Sequence, residues 1–223
     1  MTFDKTPANI KNMFNLIADK YDFVNNLMSF GTQNYVKHFS VKLLDIKPHE
    51  LVLDICCGTG DLSRIIKKIQ PNAQVTGIDF SEKMLAIAKK KYSKINFLQG
   101  DATKLPFEDS MFDYVVMGFG LRNILNAEKA VEEVYRVLKP NGEFLHLDFG
   151  QKNVASKIYD LITPVMVKFF TNNPQAYKYL INSKQEFPLP NELIKDFESK
   201  GFKFKCRKDF LCGVISAQVL RKI

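Results

Sequence analysis

The sequence predicts an α/β domain built on a largely parallel sheet with helices on both faces. Three observations predict it. Short apolar runs alternate with helical patterns from residue 50 to residue 149. The runs are continuously apolar, as in strands that are buried on both faces, and turns rich in glycine or carboxylates follow them. A chain of 223 residues that is 46% hydrophobic is long enough to bury the core of one such domain.

Residues 1–48 are predicted to form an N-terminal helical cap. Apolar residues recur there at helical spacing in two stretches separated by Ser29-Phe30-Gly31: Ile10, Met13, Phe14 and Ile17, then Phe39, Leu43 and Leu44. Residues 49–150 form the core, with strands predicted over 51–55, 74–78, 95–98, 112–117 and 143–149. Helices connect these strands, and Ser81 and Asn126 are the predicted N-caps of two of them.

The C-terminal third follows a different pattern. Residues 151–190 are predicted to be a mainly helical insertion, with one helical stretch over 154–182. Residues 191–223 are predicted to hold a helix over 192–199 and two strands, over 202–210 and 214–220, with Gly213 just before the second. Two consecutive strands joined by a short turn pair antiparallel.

Composition excludes several classes of protein. The apolar content is too high for a disordered chain, and no run of about 18 apolar residues predicts a membrane-spanning helix. The polar N-terminus lacks the apolar segment of a secretory signal, so we expect a cytoplasmic protein. The four cysteines are then expected to be reduced, and their spacing does not resemble a zinc site.

The net charge of +8 is unevenly distributed. Residues 51–150 carry 13 basic and 13 acidic side chains, whereas residues 151–223 carry 13 basic and only 6 acidic ones. A basic excess permits contact with nucleic acid or with an anionic membrane, and residues 203–208 (KFKCRK) are the densest basic run.

The strongest local signal is a glycine loop between the first strand and its helix, over residues 54–60 (DICCGTG). Glycine lets a backbone approach a ligand closely, and the helix N-terminus offers unpaired N–H groups. Asp79 and Asp101 end the next two strands. Side chains at these strand ends meet at one edge of a parallel sheet, which is where such folds bind ligands.

Two cofactors are compatible with this pattern. A nicotinamide dinucleotide favours a third glycine, but Ser63 stands at that position. S-adenosylmethionine has no pyrophosphate: Asp54 and the loop would face its methionine part, Asp79 its ribose and Asp101-Ala102 its adenine. The alternative for each carboxylate alone is the capping of a turn or helix, and the three together favour S-adenosylmethionine.

Several sequence blocks together resemble the ubiquinone/menaquinone biosynthesis C-methyltransferases, a family of class I S-adenosylmethionine-dependent methyltransferases. The more specific blocks are MFNLIADKYDFVNNLMSFG (13–31) and FGLRN (119–123). The others are VLDICCGTGDL (52–62), GIDFSEKML (77–85), GDATKLPF (100–107), FDYVVMGFGLRN (112–123), YRVLKPNGEF (135–144), YLINS (179–183), FP (187–188) and GF (201–202).

The chain departs from the family pattern at a few positions. Gln33 and Val36 stand where the family usually has His and Trp, and Gln218 stands at a usual His. Cys56-Cys57 replaces paired glycines of the loop, an exchange between small residues that should preserve the fit. These departures concern the substrate pocket more than the chemistry.

The resemblance implies a Rossmann-like fold with seven strands in the order 3-2-1-4-5-7-6, strand 7 antiparallel, and a helical lid. It implies C-methylation of a polyprenylated quinol, most simply demethylmenaquinol, with a benzoquinol of ubiquinone biosynthesis as the alternative. Another small-molecule or RNA methyltransferase and a non-catalytic scaffold are the remaining alternatives. The expected cofactor-binding residues are Asp54, Cys56, Gly58, Thr59, Gly60, Asp79, Phe80, Met84, Asp101, Ala102 and Gly118.

Four residues are the candidates for catalysis. Methyl transfer to carbon needs an electron-rich acceptor, a stabilised oxyanion and a path for a proton. Arg122 would stabilise the quinol oxyanion or organise a water molecule, because its pKa is too high for a base; the alternative is an ion pair with an acid on a helix. Asn123 would donate to a ring oxygen, Tyr21 would relay a proton and Asp148 would act as base.

Other reactive residue types have simpler interpretations. His146 lies within an apolar strand and is interpreted as a satisfied core histidine, and Cys56-Cys57 as small buried packing. No metal is expected. The sequence is compatible with a homo-oligomer.

The segment over 154–170 carries a broad apolar face with lysines beside it: Ile158, Leu161, Ile162, Val165, Met166, Phe169 and Phe170, flanked by Lys157 and Lys168. We expect it to cover a lipid-tailed substrate and the basic C-terminal third to visit anionic lipid. The alternative is ordinary packing and a solvated surface.

Overall fold

The computed structural model describes residues 5–170, 179 and 183–223, and the side chains of 164–170 are not described. Seven strands form its sheet: β1 (Leu51–Ile55), β2 (Gln74–Asp79), β3 (Asn96–Gln99), β4 (Phe112–Gly118), β5 (Leu138–Phe149), β6 (Phe202–Phe210) and β7 (Ile215–Lys222). Their spatial order is β3-β2-β1-β4-β5-β7-β6. The predicted strand order is confirmed.

Helices cover both faces of this sheet. They are α1 (Pro7–Met28), α2 (Gln33–Val41), α3 (Asp61–Ile69), α4 (Glu82–Lys91), α5 (Ala127–Val137), α6 (Val154–Phe170) and α7 (Pro190–Ser199), with a 3₁₀ turn at Leu121–Asn123. In the described part of the chain, none of these helices combines the length and apolarity needed to cross a membrane.

Strands β1 to β5 pair in parallel, and β7 pairs antiparallel with both β5 and β6. The hairpin between β6 and β7 turns at Gly213, whose φ of +88° suits glycine. Apolar side chains on the two faces form separate clusters, one under α2 and α3 and the other under α5 and α7. The carboxyl ends of β1, β2 and β4 are thereby fixed side by side.

The structure places several boundaries differently from the sequence prediction. Strand β5 begins at Leu138 rather than at Glu143, because Leu138 is buried and pairs with Phe112 ahead of a register shift. Pro140 and Asn141 lie within that irregularity. Helix α7 begins at Pro190, two residues earlier than predicted, since proline suits a first helical turn. The predicted helix over 154–182 is seen as α6; residues 171–178 and 180–182 lie outside the described residues.

The two predicted N-caps are confirmed. The Ser81 hydroxyl accepts the N–H of Met84 at 3.2 Å, and the Asn126 carbonyl oxygen accepts the N–H of Lys129 at 3.1 Å. Each cap fixes where a helix starts relative to the strand before it.

Two glycines with positive φ angles, replaced by alanine, separate the cost of backbone strain from the cost of overpacking in the loop after β1. Gly60 has φ +85° and a Cβ added there would lie 2.8 Å from Phe97 Cζ, whereas Gly31 has φ +74° and open space. We expect Gly31→Ala to lower the free energy of unfolding by about 1 kcal/mol, from backbone strain alone. Gly60→Ala should cost at least about 2 kcal/mol more, because overpacking is added. Urea denaturation measures both, and equal losses would contradict the packing argument.

Candidate active site

Two adjoining cavities open at the carboxyl ends of β1, β2 and β4. The first encloses about 210 Å³ and the second about 110 Å³. Five residues line both: Tyr21, Cys56, Gly58, Gly118 and Phe119. A ligand in one cavity therefore meets a ligand in the other at the end of β4 and the loop after β1.

Most of the predicted site residues line these cavities. Besides the shared ones, the first is lined by Asp79, Phe80, Met84, Asp101, Ala102 and Asn123. The second is lined by Asp54, Thr59 and Arg122. Gly60 and Asp148 line neither: Gly60 shapes the loop as the residue before α3, and Asp148 lies behind Arg122.

Asp54 lies at the end of β1, fully buried beneath the loop. Its Oδ2 accepts the N–H and the hydroxyl of Ser63, at 3.0 and 2.6 Å, so the capping interpretation holds for this oxygen. Its Oδ1 has no hydrogen-bond partner among the described residues. Burial raises the pKa of this carboxyl to about 7, and a cationic ligand group in the second cavity would favour its ionised form.

Asp79 and Asp101 both face the first cavity from neighbouring strand ends. Asp79 accepts the N–H groups of Gly58 and Ser81, each at 2.8 Å, and burial raises its pKa. Asp101 Oδ1 accepts the N–H and hydroxyl of Thr103, each at 2.8 Å. Each carboxylate is thus held in place by local hydrogen bonds while it lines the cavity.

The loop after β1 offers its backbone to both cavities. A Cβ added to Gly58 would meet nothing within 4 Å, so the loop presents bare backbone to open space there. Cys56 holds a left-handed φ of +56° that L residues rarely adopt. A Cβ at Gly120 would lie 2.6 Å from Cys56 Cβ, so Gly120 makes room for the cysteine. A cysteine therefore fits at position 56, where the family pattern has glycine, but at the cost of backbone strain.

Helix α1 closes over the loop through polar contacts that the sequence did not indicate. Thr59 donates to Asp22 at 2.6 Å, and the Ser81 hydroxyl donates to Asn15 Oδ1, also at 2.6 Å. Lys11 pairs with Glu82 at 2.6 Å. These bonds place Tyr21 of α1 against both cavities.

Arg122 lines the second cavity, and several contacts hold it in place. Its Nη1 donates to the Phe119 carbonyl at 2.9 Å and to Asp148 Oδ1 at 2.7 Å. The guanidinium lies 5.8 Å from the ring centroid of Phe119 and 5.0 Å from that of Phe149. Its Nε has no partner among the described residues. Arg122 thus forms the ion pair that the alternative interpretation expected, but its partner lies on strand β5 rather than on a helix.

Asn123 and Tyr21 adjoin Arg122 along the cavity wall. The Asn123 amide donates one hydrogen bond to the Phe119 carbonyl at 3.1 Å, which leaves its second N–H for a ligand. Burial raises the pKa of Tyr21, and the charge of Arg122 opposes that rise. Tyr21 is therefore a protonated donor at neutral pH.

Lys184 is another buried cation near Arg122, and the sequence analysis missed it. Lys184 lies 5.2 Å from the Phe149 ring and 4.8 Å from the Tyr159 ring, and it pairs with Asp160 at 2.5 Å. Burial lowers the pKa of Lys184 and raises that of Tyr159 to about 12. These residues connect α6 to Arg122 through Phe149, and no local sequence pattern indicates the contact.

His146 is buried within its strand, as predicted. It is 1% exposed between Phe144, Phe187 and Phe197. Neither ring nitrogen makes a hydrogen bond of acceptable geometry within the described chain. The charge of Asp148 opposes the lowering of the His146 pKa, and so does Gln218, which pairs in register with His146 on β7. Burial lowers that pKa to about 4.

This burial predicts a loss of stability in acid. The folded protein keeps His146 neutral down to about pH 4, while the unfolded chain takes up the proton near its ordinary pKa of 6.5. Stability contributed by the neutral ring is present above pH 6.5 and is lost as the pH falls towards 4, by on the order of 3 kcal/mol. His146→Leu should lack this loss in urea denaturation between pH 7 and pH 4.5.

His38→Leu on α2 serves as the control variant, and it should keep the wild-type slope. The raised pKa of Asp54 gives the free energy of unfolding a pH dependence of the opposite sign. All three proteins contain Asp54, so its contribution cancels when their pH dependences are compared. Identical pH dependence of wild type and His146→Leu would contradict the assignment.

The comparisons with known proteins agree with this geometry. The model of the ubiE/COQ5 methyltransferase family matches residues 2–222. The chain belongs to the ubiE/COQ5 methyltransferase family. It is an enzyme of the S-adenosylmethionine-dependent methyltransferase class.

Named relatives and a solved structure support the assignment. A demethylmenaquinone methyltransferase of Bacillus cytotoxicus is 36% identical over 92% of this chain and 92% of its own. One of Chlorobaculum tepidum is 39% identical over 89% of this chain and 86% of its own. A Thermotoga maritima structure described as a SAM-dependent methyltransferase, possible histamine N-methyltransferase, has a TM-score of 0.72 at 20% identity, covering 95% and 99% of the two chains. That structural likeness shows the fold.

The departures from the pattern of the ubiE/COQ5 methyltransferase family fall in two places. Gln33 and Val36 line the second cavity. Gln218 lies outside both cavities and donates to the Pro190 carbonyl at 3.1 Å.

Proposed function

We propose that this methyltransferase transfers a methyl group from S-adenosylmethionine to a ring carbon of demethylmenaquinol. The observation that carries the proposal is the pair of adjoining cavities. The first is lined by the carboxylates of two strand ends, Asp79 and Asp101, and the second by Asp54 and Arg122 among apolar and aromatic side chains. We infer the substrate from the names of the relatives from Bacillus cytotoxicus and Chlorobaculum tepidum.

The residues present fit the cofactor. Gly58 presents bare backbone, Asp54 keeps one buried oxygen without a partner among the described residues, and Asp79 and Asp101 line one wall. In this assignment Asp54 faces the cationic methionine part, Asp79 the ribose hydroxyls and Asp101 the adenine amino group. S-adenosylmethionine supplies an electrophilic methyl group on a sulfonium sulfur.

The protein then has to hold an electron-rich quinol in line with that methyl group. Arg122 carries its charge in a buried place, where it stabilises an oxyanion strongly. Its partners Asp148 and Phe149 keep it from turning, so little reorganisation is needed when charge develops. Tyr21 lines both cavities and offers a further donor beside Arg122, while Asn123 offers one from the first cavity. The apolar wall of the second cavity excludes water from the ring.

The basic run in β6 gives little support to the alternative that the substrate is a nucleic acid. Lys205 donates to Glu143 at 2.7 Å, Arg207 pairs with Asp209 at 3.3 Å, and Lys208 stacks on Phe39. Intramolecular partners thus occupy these three cations, whereas nucleic-acid recognition needs a row of cations open to phosphates.

The deciding experiment measures transfer of labelled methyl from S-adenosylmethionine to reduced demethylmenaquinone. Oxidised demethylmenaquinone and a reduced precursor of ubiquinone are run in parallel. We expect transfer to the reduced naphthoquinol and none to the oxidised quinone, whose ring is electron-poor. Preference for the benzoquinol would replace the substrate, and inactivity with both quinols would overturn the proposal.

We also propose that the protein works at the cytoplasmic surface of an anionic membrane, where its lipid-tailed substrate resides. Part of the predicted apolar face of α6 supports this: Ile158, Leu161 and Ile162 are 53%, 75% and 38% exposed. The side chains of Val165, Met166, Phe169 and Phe170 lie outside the described residues. Exposed apolar residues next to lysines are typical of surfaces that contact lipid.

Co-sedimentation with vesicles of neutral lipid, with and without phosphatidylglycerol, tests this contact. We expect binding that requires the anionic lipid and that Leu161→Glu weakens. Met111→Glu is the matched control, since Met111 is 38% exposed in the loop before β4. Equal sedimentation with both kinds of vesicle, or equal loss in both variants, would overturn the membrane part.

A further inference from the structure

A row of polar side chains crosses three strands behind Arg122. Asp148 of β5 pairs in register with Ser216 of β7, and Ser216 pairs in register with Asp209 of β6. Residues paired across antiparallel strands point to the same face of the sheet. The three side chains therefore form one line on one face, and we call Asp148-Ser216-Asp209 the polar row.

The inner part of this row is buried but not satisfied. Asp148 and Ser216 are 1% and 2% exposed. Asp148 Oδ1 accepts from Arg122 and from its own chain at Phe149, whereas Oδ2 and the Ser216 hydroxyl have no hydrogen-bond partner among the described residues. Two neighbouring buried polar atoms left this way are uncommon in native proteins.

The second line beside it repeats the pattern. His146, Gln218 and Arg207 are paired in register across the same three strands, two residues from the polar row. Gln218 Oε1 and both nitrogens of His146 again lack partners in the described chain. Buried polar groups of this kind are usually bridged by ordered water that makes two to four hydrogen bonds.

The polar row has one end at the active site and the other at the surface. Its inner end is the ion pair of Asp148 with Arg122, 2.7 Å long, and Arg122 lines the second cavity. Its outer end is Asp209, whose side chain is 29% exposed and pairs with Arg207. A chain of hydrogen bonds along the row would therefore join the cavity to solvent through the interior of the sheet.

We propose that the polar row, bridged by buried water, carries the proton of each methyl transfer from the substrate site to solvent. The inference rests on the proposed function for its proton source. When the ring carbon bonds to the methyl carbon, the S–CH₃ bond breaks and its electron pair stays on sulfur as a thioether. The ring then returns to aromaticity by losing its proton, so one proton per turnover must leave the site.

The geometry gives that proton a sequence of acceptors. A water molecule held by Arg122 passes it to Asp148 Oδ2, which relays it through the Ser216 hydroxyl to the Asp209 carboxylate and bulk water. A hydroxyl can relay in this way because it donates and accepts at once. Ser216 and Asp209 act through other groups and are positioning residues for the proton, not catalytic residues.

A first test does not depend on the substrate. In a high-resolution crystal structure of the full chain, we expect ordered water within hydrogen-bond distance of Asp148 Oδ2 and the Ser216 hydroxyl. In Ser216→Ala this water should be lost or displaced. A dry interior at these atoms in the wild type would overturn the proposal, whatever the enzyme methylates.

The second test is kinetic. We measure kcat, KM for each substrate, and the solvent deuterium isotope effect on kcat for Ser216→Ala and Asp209→Asn. Ser40→Ala is the control for a buried serine, since its hydroxyl bonds to the Val36 carbonyl within α2. Asp196→Asn is the control for an exposed acid of α7.

We expect kcat of Ser216→Ala to fall about tenfold and its isotope effect to rise, with both KM values unchanged, since a proton step becomes slower than methyl transfer. Asp209→Asn should show the same change to a smaller degree. If the two variants had the same kinetics as their controls, the proposed role of the polar row would be overturned, although methyl transfer itself would persist. Inactivity of the wild type would instead fail the proposed function, and the crystallographic test would still decide the row.

Discussion

Removing the charges of Arg122 and Asp148 together should lower kcat for methyl transfer by about a hundredfold to a thousandfold, the loss typical of a missing oxyanion donor. The variant Arg122→Met/Asp148→Asn is preferred to a single substitution. Breaking a buried ion pair on one side costs about 3–5 kcal/mol of stability, whereas replacing both partners is close to neutral. The kinetic loss can then be separated from unfolding.

The readouts are kcat by labelled methyl transfer, the dissociation constant of S-adenosylmethionine by calorimetry, and the urea midpoint. Cofactor binding should change by less than about threefold, because Asp54, Asp79 and Asp101 are untouched. Arg64→Met removes an arginine of α3 that bonds to Asn34 outside the cavities, and it should behave like wild type. A kcat for the double variant within threefold of wild type would refute the role of Arg122.

The affinity for S-adenosylmethionine should depend on pH through Asp54. This carboxyl has a pKa of about 7 in the unliganded protein, so it is protonated below pH 7. The cofactor carries cationic groups that favour the carboxylate, and binding below pH 7 must therefore release a proton. The dissociation constant should rise about tenfold from pH 8 to pH 6 and level off above pH 8.

Calorimetry in two buffers of different ionisation enthalpy counts the protons released. Asp54→Asn should bind more weakly at pH 8, with a flat pH profile and almost no proton release. Asp101→Asn removes a carboxylate from the first cavity and should keep the wild-type slope. If Asp54→Asn retained that slope, a different group would be responsible, and Asp79, whose pKa burial also raises, would be the next candidate.

Strand order and the positions of most cavity residues followed from the sequence because local signals agree there. Continuous apolar runs such as 51–55 indicate strands buried on both faces, and Ser81 and Asn126 mark helix starts by their own side chains. Boundaries were less predictable. Leu138 continues β5 through an irregular pairing with Phe112, which is a tertiary contact that no local pattern contains.

The support around the site was not predictable for the same reason. Asp148 was expected as a base, but its partner Arg122 is 26 residues away and meets it only after the sheet is formed. Lys184 reaches Phe149 and Asp160 from a separate segment of the chain. Gly60 was expected to contact the cofactor. The structure packs it closely against Phe97 of β3, which is again a tertiary contact that no local pattern contains.

The strained Cys56 has a consequence for the lifetime of the enzyme. A thiolate is a far better nucleophile than a thiol, and this residue lines the cavity assigned to an electrophilic methyl donor. Burial, with the nearby charges of Asp79 and Asp54, raises the pKa of Cys56 well above its ordinary value. The sulfur thus stays protonated at neutral pH, and the loop is protected from methylating itself during repeated turnover.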